Sequence, residues 1–424
     1  MGYTSQMTTA LSRQLKYIVS ILGMFLAMGC TDPSTSSIPD GGVDGGVDGD
    51  ILSDITDADG GQDATPLCIA GSEDLPRSLE IPGADPNGIY DPDLEWDPQG
   101  QRMWLSYSSV EGPAGVGKVS THLAYSEDRG MTWCFAGVVN PSTDVPREDQ
   151  PESIAQDHAH WSHETSALFY DADAPQEQRW SLTWHRYLHV EDNIPGNEDR
   201  HFEHGWIAIK RAASPMGLLS APEEKLFSSL VYHVDPVIED YNNAAPGGLP
   251  IKRFDTDPLL GDCLAFAEPG ISAHSGRIHA ALFCFRTQQQ QDIVLVTYDH
   301  SAQTWSSVGT LLTTQDAQTI HPDLLGFNAP DIYETPGGWR LMVTPTVGAY
   351  LGCIEYGLDI VAGSLVDSNG DGPDPLYAYE KNPDPQVYQT GACTYHHQSE
   401  TGVIVGDVYT SGVQFRLIAT GDLR

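Results

Sequence analysis

Basic residues are scarce in this chain: 21 Lys and Arg stand against 59 Asp and Glu in 424 residues, a formal net charge of −38. Phosphate backbones are held by clustered Lys and Arg, so no nucleic-acid partner is expected. An acidic surface also repels anionic polymers, whereas neutral ligands meet no such barrier. The apolar run Tyr17–Met28 is short of the roughly 20 residues that a membrane-spanning helix needs. Sustained helical periodicity is missing throughout, and residues 31–66 hold no aromatic side chain. That stretch buries too little apolar surface to offset its ordering entropy.

What is present divides the chain into three. Arg13 and Lys16 precede the apolar run, and Gly29-Cys30 follows it, the layout of an export signal over residues 1–29. Leu26-Ala27-Met28-Gly29-Cys30 resembles the lipobox of bacterial lipoproteins. The resemblance implies acylation of Cys30, with membrane contact through that lipid alone. Thr31 after the cysteine is similar to outer-membrane sorting signals, so an outer-membrane or cell-surface location is expected. Residues 30–66, with repeated Gly-Gly-Val-Asp units, read as a flexible, self-repelling tether. Residues 67–424 form the folded domain, expected to be a monomer.

Six cysteines lie beyond Cys30: Cys68, Cys134, Cys263, Cys284, Cys353 and Cys393. They are too far apart for a zinc knuckle, and export favours oxidation. Spacing leaves fifteen connectivities open; the pairing favoured here is Cys68–Cys134, Cys263–Cys284 and Cys353–Cys393.

Short strands rich in β-branched and aromatic residues alternate with Gly, Pro and Asp turns, which indicates an all-β fold. A coarser repeat overlies them. Five segments begin with an acid- or His-bearing strand, turn, and return as an apolar strand; they start at Asp91, His163, Ala267, Ala329 and Tyr395. The starts are roughly 65–105 residues apart, room for a four-stranded blade plus loops. The expectation is a five-bladed β-propeller, six blades being the alternative, with the segment after Cys68 supplying a strand that closes the ring and protects its edges. The strand starts would then face one axial mouth, with carboxylates of Asp91, Glu164, Glu268 and Asp331 at one register. Asp93, His163, His396 and His397 would join them, and Trp161 and Trp184 would offer sugar platforms.

Ser126-Glu127-Asp128-Arg129-Gly130-Met131-Thr132-Trp133 resembles the Asp-box of sialidases and other propellers, a structural turn. Thr297–Trp305 looks like a degenerate copy. Sialidases also clamp their sugar with arginines, the first in a Tyr/Phe-Arg-Ile-Pro motif that is missing here; a sialidase-like exoglycosidase is therefore only the second alternative. Asp91-Pro92, Leu94 and "MWLSYS" are similar to the first blade of the arabinanase and β-xylosidase clan of propeller glycoside hydrolases. That resemblance implies Asp91 as general base, Glu268 as general acid and Asp331 or Glu164 as the carboxylate tuning the acid. Asp85-Pro86-Asn87-Gly88 is similar to a motif of invertase-like relatives but reads as an ordinary turn. The implied activity is hydrolysis of a neutral polysaccharide; the alternative is a non-catalytic propeller that binds glycan or protein. No cofactor is required for either. Asp367, Asn369 and Asp371 match the first half of an EF-hand-type calcium loop, although Ala378 stands where its closing acid would be.

Overall fold

A computed structural model describes residues 68–70, 74–85, 87–111, 118–145, 158–191, 198–228, 257, 259–287, 290–370, 372–409 and 414–422. Cys30, Asp371 and the signal and tether segments lie outside them. The described chain is almost entirely strand, with one short α-helix, Thr314–Ile320.

Among the described residues, five antiparallel units follow one another. Their first strands are Ile89–Asp97, His158–Tyr170, Ala265–His274, Gly326–Thr335 and Val387–Thr394. Each pairs with the strand after it, and the meander continues outward. The third and fourth units are joined by one parallel bridge, Gln291 to Gly326. The first strands also contact one another around a closed circuit, the fifth returning to the first.

Packing explains this circuit. Each sheet buries both faces against its neighbours, so its strands carry apolar and small side chains on both sides. Arg102–Glu111 is buried at every position between its two ends. Trp104, Leu123, Leu168 and Leu182 pack the first unit on the second. Phe169, Ile207, Phe266 and Val294 pack the second on the third, and Phe285, Leu295, Phe327 and Leu341 the third on the fourth. Met342, Val403 and Val405 fill the next seam, and Leu94, Leu105, Ile404 and Leu417 the last. Each such side chain contributes about 1.5–3 kcal/mol on burial.

The two ends of the described chain meet. Arg77–Ser78 pairs with Ile418 and Ala419 of the last strand, Gln414–Ala419. Arg77–Ser78 is thus the closing strand expected after Cys68, while Cys68–Ala70 itself pairs along the outer strand Thr132–Asn140 of the first unit. The disulfides are Cys68–Cys134, Cys263–Cys284 and Cys353–Cys393. The last of these stitches the fourth unit to the first strand of the fifth.

One irregularity recurs in every first strand. Asp91, Thr165, Glu268, Ala329 and Ala392 have φ of 47°, 52°, 52°, 44° and 52°. Strand register shifts at the same places, between Tyr90 and Asp93, Glu164 and Ala167, Ala267 and Gly270, Asn328 and Asp331, and Gly391 and Thr394. Left-handed backbone costs a non-glycine residue roughly 1–3 kcal/mol, and bulges of this kind re-aim side chains.

These bulges correct the expected alignment. Asp91 and Glu268 do occupy one structural position. Glu164 is one residue before it, next to Thr165. Asp331 is two residues after it, level with Asp93. His396 and His397 lie past the end of the fifth first strand, Val387–Thr394. Aligning by acid identity overlooked the extra residue that each bulge inserts, and a slip of one residue changes which way a side chain faces.

Candidate functional site

The site is built where the first strands of the first three units approach each other. A cleft of about 30 Å³ is lined by the bulges of all five, including Asp91-Pro92-Asp93, Glu268-Pro269-Gly270 and Ala329-Pro330-Asp331. Asp91 is 7% exposed and Glu164 9%. Ser108 Oγ donates to Asp91 Oδ2 at 3.2 Å and accepts the Thr165 amide at 3.1 Å, linking the first two strands. Tyr90 Oη donates to Glu164 Oε2 at 2.7 Å. Glu268 accepts the Ala329 amide at Oε2 (2.7 Å) and the Tyr350 hydroxyl at Oε1 (3.2 Å).

Three carboxylates thus share one electrostatic field. Burial pushes the Asp91 carboxyl well above its usual range, and repulsion from Glu164 and then Glu268 adds to this. Burial likewise raises the Tyr350 phenol, with further contributions from Glu268 and Asp91. Tyr350 therefore stays protonated and remains a donor to Glu268. Asp91 is therefore ionised only above the ordinary aspartate range.

A second acidic level follows along the same strands. Asp93 and Asp331 hydrogen-bond to each other, and burial raises both; the Asp331 charge raises Asp93 further. The Leu168 amide donates to Asp93. Beyond them, burial pushes Glu95 up to about 8 even though it accepts the Trp96 amide at 2.9 Å. From Asp91 to Glu95 the strand advances roughly 13 Å at about 3.3 Å per residue. Here a second cavity of about 220 Å³ opens, lined by Glu95, Trp96, Tyr170, Trp339, His396 and His397 among others, with Asp93 lining both cavities.

The expected group is therefore split between two ends. Asp91, Glu164 and Glu268 come together, whereas Asp331 belongs with Asp93, and His396 and His397 with the second cavity. Trp184 is fully buried in the seam between the first two units, so it offers no sugar platform. Its indole N–H donates to His163 Nδ1 at 2.9 Å. His163 is itself only 4% exposed, and burial holds it well below the usual imidazole range, so it is a neutral acceptor inside the sheet stack. Trp161 is half-buried and packs 5.3 Å from Trp206, with the Arg186 guanidinium 4.4 Å from its ring. Trp161 lines neither cavity.

Other motifs resolve into turns. Gly88 accepts a left-handed φ of 102°, its amide donates to Asp85 O at 2.9 Å, and a Cβ there would collide with the Phe415 carbonyl. Asp128 accepts the Ser126 hydroxyl and the Thr132 amide, both at 2.7 Å. Asp299 and Asp359 receive amides two and three residues on in the corresponding outer turns of the third and fourth units; the second of these had no sequence signature. Asp367 accepts the amides of Asn369, Gly370 and Gly372, which gives its carboxylate a turn-forming role. Among the described residues no group of three His, Cys, Asp or Glu is placed to hold a metal ion. No arginine lines either cavity, so the cation cluster a sialidase would need is not formed there.

Tyr90, Ser108 and Tyr350 were not singled out in the sequence. Tyr90 directly precedes the Asp-Pro pair and could have been noticed. Tyr350 comes from a loop of the fourth unit, 82 residues from Glu268, and carries no local signal.

No protein-family model and no curated protein matches this chain. Solved structures do. A glycoside hydrolase family 32 β-fructofuranosidase of Bombyx mori is 12% identical, with TM-score 0.43 over 78% of this chain and 59% of that one. An endo-arabinase of Bacteroides thetaiotaomicron is 11% identical, with TM-score 0.39 over 78% and 93%. A family 62 α-L-arabinofuranosidase catalytic domain of Coprinopsis cinerea is 10% identical, with TM-score 0.41 over 83% and 93%. The chain spans about three fifths of the length of the fructofuranosidase. The solved structures this chain is similar to are thus glycoside hydrolases named for fructosides and arabinosides.

Proposed function

We propose that this chain is a five-bladed β-propeller glycoside hydrolase acting on a neutral polysaccharide, held at the cell surface by an acylated Cys30. The observation that supports it most is the convergence of Asp91, Glu164 and Glu268 from three successive units onto one field, with Tyr350 donating to Glu268. Five bulged first strands in a closed circuit support the blade number.

In this mechanism Glu268, carrying a proton, donates it to the glycosidic oxygen as the bond to the anomeric carbon breaks. Asp91, ionised, either takes a proton from the attacking water or attacks the anomeric carbon itself. Glu164 adjusts both through its charge and is fixed by Tyr90. The Tyr350 hydroxyl orients the Glu268 carboxyl toward the leaving group. Thr165 and Ser108 hold Asp91 against the second unit. None of these steps uses a metal; a calcium ion at the Asp367 loop would have a structural role.

The test is release of reducing sugar from neutral plant and bacterial polysaccharides by the purified chain, beside Asp91→Asn and Glu268→Gln. Hydrolysis by the native chain that both variants abolish supports the assignment. Polysaccharide binding without cleavage would instead make this a glycan-binding propeller, to which the close burial of Asp91 and Glu164 would be suited.

A further inference from the structure

The cavity beyond Asp93 has no part in that chemistry, yet it is about seven times the volume of the cleft at Asp91, about 220 against 30 Å³. Its walls are of two kinds. Trp96, Tyr170 and Trp339 supply aromatic surface, and Asp93, Glu95 and Glu334 supply carboxylates. Neither Lys nor Arg is among its lining residues. His396 adds no positive charge, because burial and His397 hold it down to about 3.

Each class of ligand can be weighed against this lining. An anion would meet three carboxylates and no cation. A neutral apolar molecule would strip water from those carboxylates without replacing their hydrogen bonds. A hard metal ion wants six or more oxygen ligands, which aromatic walls do not provide, and no three-ligand cluster exists among the described residues. A cation with a hydrocarbon part satisfies both kinds of wall, since aromatic faces attract positive charge and cover apolar surface.

We propose that this cavity is a second ligand site, taking a small organic ammonium ion whose charge lies against Glu95 and Asp93 and whose hydrocarbon part lies against Trp96 and Trp339. Glu95 is held largely neutral by burial when the site is empty, and an entering cation would restore its charge. The site stands apart from Asp91 and does not depend on hydrolysis there.

The test is calorimetric titration of the full chain with n-butylammonium chloride, n-butanol and calcium chloride as probes. Saturable binding of butylammonium, at least tenfold weaker in Glu95→Gln and absent for butanol, is the expected result. Trp96→Leu keeps the charge and should weaken binding about threefold or more, so the proposal stays testable if Glu95→Gln fails to fold. Equal binding of butanol, affinity unchanged in both variants, or binding of calcium at the same site with displacement of the amine would each overturn it. Sugar release, where measured, should be the same in Glu95→Gln as in the native chain, which separates this outcome from any failure of the hydrolase assignment.

Discussion

The two ends of the channel use the same side chains to different effect. At the Asp91 end, each carboxylate accepts a hydroxyl: Ser108 of its own unit for Asp91, and, from a neighbouring unit, Tyr90 for Glu164 and Tyr350, with the Ala329 amide, for Glu268. At the Glu95 end the acids are raised chiefly by burial, and their surroundings are aromatic. Acidity alone does not mark a reactive site. What differs is the kind of partner: side-chain hydroxyls orient the three carboxylates at the Asp91 end, whereas Glu95 accepts the backbone amides of Trp96 and Tyr170.

Substitution can break or sharpen that contrast. The largest effect is expected at the first end. Asp91→Asn and Glu268→Gln should each lower kcat by about 10²–10⁴-fold while leaving the thermal midpoint nearly unchanged, read by sugar release and circular dichroism. Equal losses from Glu95→Gln would erase the distinction between the two ends.

A smaller effect concerns pH. Asp91 must be ionised to act, and its raised pKa places the acid limb of kcat/KM above the ordinary aspartate range. Glu164→Gln removes a repelling charge, so that limb should move toward lower pH. A limb that stays put would show that Glu164 does not act on Asp91.

At the second end the readout is stability. Glu95 has a folded pKa of about 8, far above an ordinary glutamate, so the fold favours its protonated form. Its contribution is fully present below about pH 4.3, the ordinary glutamate value, and is lost as pH rises toward 8. Denaturant melts should show stability declining across that window, and Glu95→Gln should flatten the decline by up to about 1.4 kcal/mol per pH unit. A variant with the same slope as the native chain would remove Glu95 as its source. The smallest effect belongs to neither end. Asp128→Ala, in an outer turn, should cost about 1 kcal/mol of stability and leave sugar release untouched.

Much of this architecture was legible in the sequence because its causes are local. Asp91 and Glu268 each precede a proline near a strand start, and the Asp128–Gly130 turn announces the outer hairpin of the first unit. The disulfides also follow the pairing favoured from the sequence. Register around the axis was not legible. One inserted residue per bulge moved Glu164 by one position and Asp331 by two, and no side-chain pattern records a left-handed backbone at Thr165 or Ala392. Trp184 misled for a related reason: sheets buried on both faces hide bulky indoles that would be solvent-facing on a two-layer fold. Tyr350 reaches Glu268 through tertiary structure alone.

The pairing of Arg77–Ser78 with Gln414–Ala419 has a consequence for biosynthesis. The earliest described strand of the last sheet is made long before its partner, and must wait through four intervening sheets. A nascent chain stalled anywhere before Gln414 would carry an open seam, and losing a handful of carboxy-terminal residues should be as damaging as losing the segment around Arg77.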